Sequence, residues 1–171
     1  DFEHAMQTLV PAHLRKRWSD NNLEKKQYSC STFMMYLGVD GAYPEEQHHT
    51  IYIAKDYQKN LHEIEKAKVL PSDPSIYIQN PCVTDESLAP KGKSSLYVLV
   101  PVPHLSENTP WDAAQTAMYR EVTLKKMESL GYHDIRKRIV YEQVCTPADW
   151  KSDFHVFGGA TFNLAHNLGQ M

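Results

Sequence analysis

Short apolar runs of period two, punctuated by prolines and turn residues, alternate along this chain with longer stretches of helical period. The segment "CSTFMMYLGV" (30–39) is apolar on both faces, with Phe33, Met35 and Leu37 on one side and Met34 and Tyr36 on the other. That pattern predicts a strand flanked by others inside a sheet. "HTIYIA" (49–54), "SIYIQN" (75–80), "SLYVLVPV" (95–102) and "RIVYEQV" (138–144) predict four more strands. Pro101 and Pro103 have no N–H for a ladder, so the fourth strand is expected to stop there. Pro103 should then hold His104 in an extended exit.

Residues 2–27 read as a polar helix. Tyr57, Leu61 and Ile64 predict a helix over 55–70, broken by "PSDP". A long helix is expected after Thr109, with Thr109 as its cap, Pro110 in its first turn and Asp112 facing its dipole. Gly131 should end it at the C′ position. Its apolar residues form two stripes, Trp111, Ala114, Met118 and Val122, and Ala117, Leu124 and Met127, which predicts burial on two sides. Thr146 and Pro147 open a further short helix, and "FGGATFNLAHNLGQM" (157–171) has no period and reads as a glycine-rich loop. The order β, β, α, β, β, α, β lacks the strict alternation of a doubly wound parallel sheet. It predicts an α+β fold: a mixed, largely antiparallel sheet of about five strands with helices packed on one face.

Three strands share a finer pattern. Ile51 and Ile53 flank Tyr52, Ile76 and Ile78 flank Tyr77, and Leu96 and Val98 flank Tyr97. Strand side chains alternate between faces, so the aliphatic side is expected under the helices. The other side would present a row of tyrosines joined by Gln79 and Leu99. Tyrosine offers a broad apolar body with one hydroxyl, and such a face can line a pocket for a long apolar ligand. The alternative is a sheet face that is simply wet, since tyrosine is common in strands.

Composition narrows the chemistry. A net charge of −3 gives no global pull towards nucleic acid. Cys30, Cys82 and Cys145 are widely spaced, with no C-x-x-C, so neither a zinc motif nor a disulfide framework is indicated and a reducing compartment fits. No apolar run is long enough for a spanning helix. Both ends read as cut from a longer protein. "HLRKRW" (13–18) sets three basic residues beside a tryptophan, readable as an anionic-membrane contact or as a solvated helix face. His48 and His49, adjacent on a strand, would point to opposite faces and could not share one ion. His104, His155 and His166 stand alone. G-x-S-x-G, H-E-x-x-H, the P-loop and G-x-G-x-x-G do not occur.

Several stretches together resemble one family. "CSTFMMYLGVD", "HHTIYIAKDYQKNLHEI", "PSIYIQNPCVTDESLAPKGKSSLYVLVPVPHL" and "TPADWKSDF", followed by "GGATFNLAHNLGQM", are similar to bacterial-type phytoene desaturases, including the diapophytoene desaturases. The resemblance runs from about Ser29 to the end. It implies the substrate-binding domain of a flavin amine oxidase-like enzyme, spanning 1–171, with FAD-binding segments expected upstream and downstream. The implied whole enzyme is a cytoplasmic, membrane-peripheral FAD-dependent oxidoreductase that introduces double bonds into a long apolar polyene, phytoene or diapophytoene. The expected substrate wall is Phe33, Met35, Tyr52, Tyr77, Tyr97 and Leu99. Phe162 and His166, with Gly158, Gly159 and Gln170, lie where the related enzymes bring a loop near substrate and flavin. No residue of this stretch is expected to be catalytic or to bind FAD. An orphaned apolar helix face could drive self-association. An apolar-ligand carrier without chemistry and a flavin carotenoid isomerase or oxidase are the competing readings.

Overall fold

The computed structural model describes residues 1–170. Five strands, β1 (Ser31–Asp40), β2 (His49–Tyr52), β3 (Ile76–Gln79), β4 (Lys93–Val102) and β5 (Ile139–Cys145), form one sheet of order β2-β3-β4-β1-β5. Every pairing is antiparallel, so the sheet has no parallel component. The helices are α1 (Phe2–Leu9), α2 (Asp20–Glu24), α3 (Tyr57–His62), α4 (Ala113–Ser129), α5 (Ile135–Arg138) and α6 (Pro147–Phe154). The architecture is α+β, as the element order predicts.

The core lies on one side of this sheet. Phe33, Met35 and Leu37 of β1, Ile76 and Ile78 of β3, and Leu96, Val98 and Val100 of β4 pack beneath Tyr119, Leu124 and Met127 of α4. Trp111 adds its ring to Phe33 and Tyr119, at centroid distances of 5.4 and 5.7 Å. α4 ends as its sequence predicts. Gly131 takes φ +106°, while the N–H groups of Tyr132 and Gly131 donate to the carbonyls of Met127 (3.1 Å) and Glu128 (3.4 Å), a Schellman motif. Thr146 caps α6 through a reciprocal capping box with Asp149.

Four expectations are corrected. Residues 2–27 are not one helix: Pro11 cannot continue α1, and two 3₁₀ turns (Ala12–Leu14 and Lys16–Trp18) precede α2. Thr109 does not cap α4. Trp111 adopts φ +56°, which delays the helix until Asp112, whose carboxylate accepts from Gln115 N–H at 2.8 Å. Thr109 is buried instead, its hydroxyl donating to the His104 carbonyl at 3.1 Å. α4 buries only the stripe of Tyr119, Thr123, Leu124 and Met127, leaving Ala114, Ala117 and Met118 exposed. Finally, β4 runs through Pro101, which pairs with Thr32. The Thr32 carbonyl accepts from the Trp150 indole at 3.0 Å, and β3 pairing has already ended at Tyr77–Leu99. The missing proline N–H therefore leaves no ladder bond unmade.

Candidate functional site

The sheet face turned away from α4 carries a line of aromatic rings across four strands. Tyr36 of β1 meets Tyr97 of β4 edge-on at 5.5 Å, and Tyr97 meets Tyr77 of β3 edge-on at 6.1 Å. Tyr77 then stacks against His49 of β2 at 5.9 Å, with its hydroxyl 2.8 Å from His49 Nδ1. Leu99 pairs with both Tyr77 and Met34, so it fills the row's next rank. Met34 and Cys145 close that end and are buried. Among the strand residues on this face, Asp40 and Lys93 are the only acid and ammonium groups, and they pair with each other at 3.1 Å. Desolvation raises the phenol pKa values of Tyr36 and Tyr97, so these rings remain neutral and their bodies are apolar contact surface.

Register decides who belongs to this face. Tyr77, Tyr97 and Leu99 do, as expected. Tyr52, Phe33 and Met35 do not, which corrects the proposed shared wall. Tyr52 pairs with Ile76, and Ile51 pairs with Tyr77, so Tyr52 lies on the helix side and Ile51 stands 68% exposed beside Tyr77. The Tyr52 hydroxyl meets the Asp73 carboxylate at 3.2 Å, and Lys126 Nζ of α4 sits 4.0 Å from its ring centre. Phe33 and Met35 are fully buried in the core. Tyr36 is the member that the expected wall omits; its alternation with Phe33 and Met35 is the signal that finds it.

A second feature lies where β1 begins and β4 ends. Here a cavity of about 810 Å³ is lined by Tyr28, Cys30, Lys68, His104, Phe157 and His166 among others. The glycine-rich loop forms one wall and is pinned to the residues before β1. Ser29 N–H donates to the Asn163 carbonyl and Ala165 N–H to the Gln27 carbonyl, both at 2.9 Å. The Gln170 amide oxygen accepts from Gln27 N–H at 3.0 Å, while its NH₂ donates to the Gln27 carbonyl at 2.8 Å. His166 thus lines a cavity, whereas Phe162 projects outward, 49% exposed, and does not join it. Gly158 lines the cavity and accepts from Leu105 N–H at 2.9 Å, tying the loop to the proline exit.

The "PVPH" exit aims His104 into this space. Its Nδ1 lies 2.9 Å from the Leu105 carbonyl, so Nδ1 carries the proton. Burial lowers the imidazole pKa. Burial likewise raises the Cys30 thiol and lowers the Lys68 ammonium. His48 and His49 do not diverge: His48 precedes β2, so strand alternation does not separate them, and their rings lie 4.3 Å apart. His48 Nδ1 is 2.7 Å from the Thr84 hydroxyl. Among the described residues no group of three or more acids, histidines or cysteines is placed to hold a metal. None of their strand-to-helix turns is the glycine-rich cradle that a dinucleotide requires.

No family model matches the chain. It is 46% identical over 171 residues to a 4,4'-diapophytoene desaturase (4,4'-diapolycopene-forming) of Methylomonas sp, covering all of this chain and 33% of that protein. It is 40% identical over 174 residues to an all-trans-zeta-carotene desaturase of Myxococcus xanthus, again all of this chain and 33% of the relative. A 4,4'-diapophytoene desaturase (4,4'-diaponeurosporene-forming) of Staphylococcus haemolyticus is 35% identical over 175 residues, covering 99% of this chain and 35% of its own length. The chain spans about one third of the length of these curated relatives. From first residue to last, then, the sequence matches a third of a carotenoid desaturase, the family its strand and loop motifs resemble.

Proposed function

We propose that this chain is the polyene-binding part of an FAD-dependent carotenoid desaturase of the flavin amine oxidase-like superfamily, with the flavin held by segments on either side of it. The observation that carries this reading is the similarity to two kinds of carotenoid desaturase over the whole chain. The aromatic face supports it physically. A hydrocarbon polyene offers no hydrogen-bonding handle, so its binding must come from apolar area, at about 25 cal/mol per Å². Tyr36, Tyr77, Tyr97 and Leu99 supply that area in a row with no unpaired charge beside it.

The roles of this chain are binding, alignment and exclusion of water. Edge-on packing locks the three phenol rings against one another, so they form a fixed wall and lose little freedom when a ligand arrives. Burial keeps the Tyr36 and Tyr97 hydroxyls protonated, which keeps charge away from the ligand. A flavin held by the other segments would supply the two-electron oxidant that removing two hydrogens from adjacent carbons requires. Phe162 and His166 belong to the loop proposed to approach the ligand, His166 from the cavity. The whole protein is proposed to work in the cytoplasm at a membrane surface, where its substrate dissolves. Without its other segments the isolated chain would expose the aromatic face and self-associate.

The test is expression of the whole protein in a host that accumulates 4,4'-diapophytoene or phytoene. The expected result is a flavin-coloured protein and products with additional conjugated double bonds, read by absorbance and mass. A protein that purifies without flavin and leaves both polyenes unchanged would overturn the reading.

A further inference from the structure

The segment that joins α1 to α2 has an unusual surface. From His4 to Ser19 the chain contains no acidic residue. Pro11 ends α1, and the two 3₁₀ turns that follow fold the segment into a knuckle. Its two leucines point outward: Leu9 is 78% and Leu14 58% exposed. Single exposed apolar residues are ordinary, but these two stand in one acid-free stretch with basic and aromatic neighbours. Arg15 is buried and paired with Asp20, so its charge is spent inside the fold. Lys16 and Arg17 are exposed and have no carboxylate partner among the described residues. The Arg17 guanidinium lies 4.7 Å from the Trp18 ring centre and Lys26 Nζ lies 5.2 Å from it. Phe2 packs edge-on against the same indole at 5.0 Å.

We propose that the knuckle from Leu9 to Trp18 is the seat of the protein on an anionic lipid bilayer. Each part has a matching layer. Leu9 and Leu14 reach the acyl boundary, Trp18 lies at the headgroup level where amphipathic rings collect, and Lys16 and Arg17 meet anionic headgroups. Charge complementarity selects a bilayer over a neutral protein surface: two unpartnered cations and no acid flank the leucines. Lys26 ties this seat to the ligand path. It borders the indole and also lines the 810 Å³ cavity, whose other charged lining residues are Lys66, Lys68 and Lys151 with Glu24 and Glu65. The seat therefore holds the cavity mouth against the membrane, and an apolar ligand dissolved there can enter without crossing water. The identity of that ligand rests on the desaturase reading; the seat itself does not.

The test uses the whole flavin-loaded protein and sedimentation with phosphatidylcholine vesicles, with and without phosphatidylglycerol. Phosphatidylglycerol should strengthen partitioning. Lys16→Asn with Arg17→Gln should abolish that gain, at roughly fivefold per charge removed; asparagine suits the φ of +43° at position 16. Leu9→Ser with Leu14→Ser should weaken partitioning to both vesicle types by about tenfold or more. Flavin absorbance, melting temperature and turnover of polyene presented in detergent should match the parent in both variants. Unchanged vesicle partitioning would overturn the proposal. So would variants that lose flavin or stability with no change in partitioning, since the knuckle would then be an internal seam against the rest of the protein. Vesicle binding by a protein that desaturates nothing would leave the seat standing and remove only the desaturase reading.

Discussion

Tyr77 and Tyr52 stand on adjacent strands and face opposite sides of one sheet, because Tyr52 pairs with Ile76 and not with its neighbour. The same residue type therefore has two roles. Tyr77 contributes open aromatic surface, whereas Tyr52 holds α4 to the sheet through Asp73 and Lys126. Tyr77→Ser should raise KM for the polyene in the whole protein by about tenfold or more, the cost of lost apolar area, with little change in Tm. Tyr52→Phe should leave KM alone and lower stability by about 1 kcal/mol for the lost hydroxyl bonds, a shift of a few degrees in Tm. Steady-state kinetics and thermal melts of the two variants decide it. The reverse pattern would mean that the ligand lies on the helix side.

Gly158 and Gly159 offer a sharper steric contrast. Both take positive φ, 56° and 66°, which an L side chain adopts at a cost of about 1–2 kcal/mol. A Cβ at Gly158 would meet nothing within 4 Å, whereas one at Gly159 would lie 2.1 Å from the Pro147 carbonyl oxygen. Gly158→Ala should therefore show only the conformational cost. Gly159→Ala must also push the loop off the start of α6, and should lose several kcal/mol and change the cavity wall that carries His166. Chemical denaturation of both variants is the measurement; equal destabilisation would contradict the close packing at Pro147.

Much of this was legible in the sequence because local chemistry settled it. The Thr146–Asp149 capping box, Gly131 beyond α4 and the two-sided apolar pattern of β1 each have a short-range cause. What failed depends on partners distant in the chain. Ile51-Tyr52-Ile53 reads the same whichever face tyrosine takes; only its pairing with β3 sets the parity. Pro101 ends a strand by rule, yet Thr32 and Trp150 remove the need for its N–H. Thr109 has the chemistry of a cap, but the left-handed turn at Trp111, packed on Phe33, moves the helix start to Asp112. The cavity joins residues before β1 to the C-terminal loop, a closure that no periodicity announces.

Burial holds the Cys145 thiol up to about 11, from an ordinary 9.0. Thiolate is the reactive form, so at pH 8 the folded protein should react with a disulfide reagent at Cys145 about a hundredfold more slowly than the unfolded chain. The sign for stability follows. The folded state prefers the neutral thiol, so this contribution is complete below pH 9 and is lost as pH rises towards 11. Cys145→Ser in a Cys30→Ala background, followed by reagent absorbance, isolates the slow phase. A rapid Cys145 reaction in the folded protein would show that the Met34–Cys145 end of the face is open.

His104 sets the acid side of the profile. Burial, the largest cause, and nearby Lys68 both lower its pKa, against a weaker raising effect of the Leu105 carbonyl. The folded state therefore favours neutral imidazole. Its contribution is present above the unfolded value of about 6.5 and is lost as pH falls through the lower folded value. Glutamine can donate to the same carbonyl without taking up a proton, so His104→Gln should flatten that part of the curve. Subtracting the variant's Tm from the parent's between pH 7 and pH 5 removes the other histidines, and the difference should fall steadily below about pH 6.5. Parallel melting curves for the two proteins would show that His104 is solvated in the folded state.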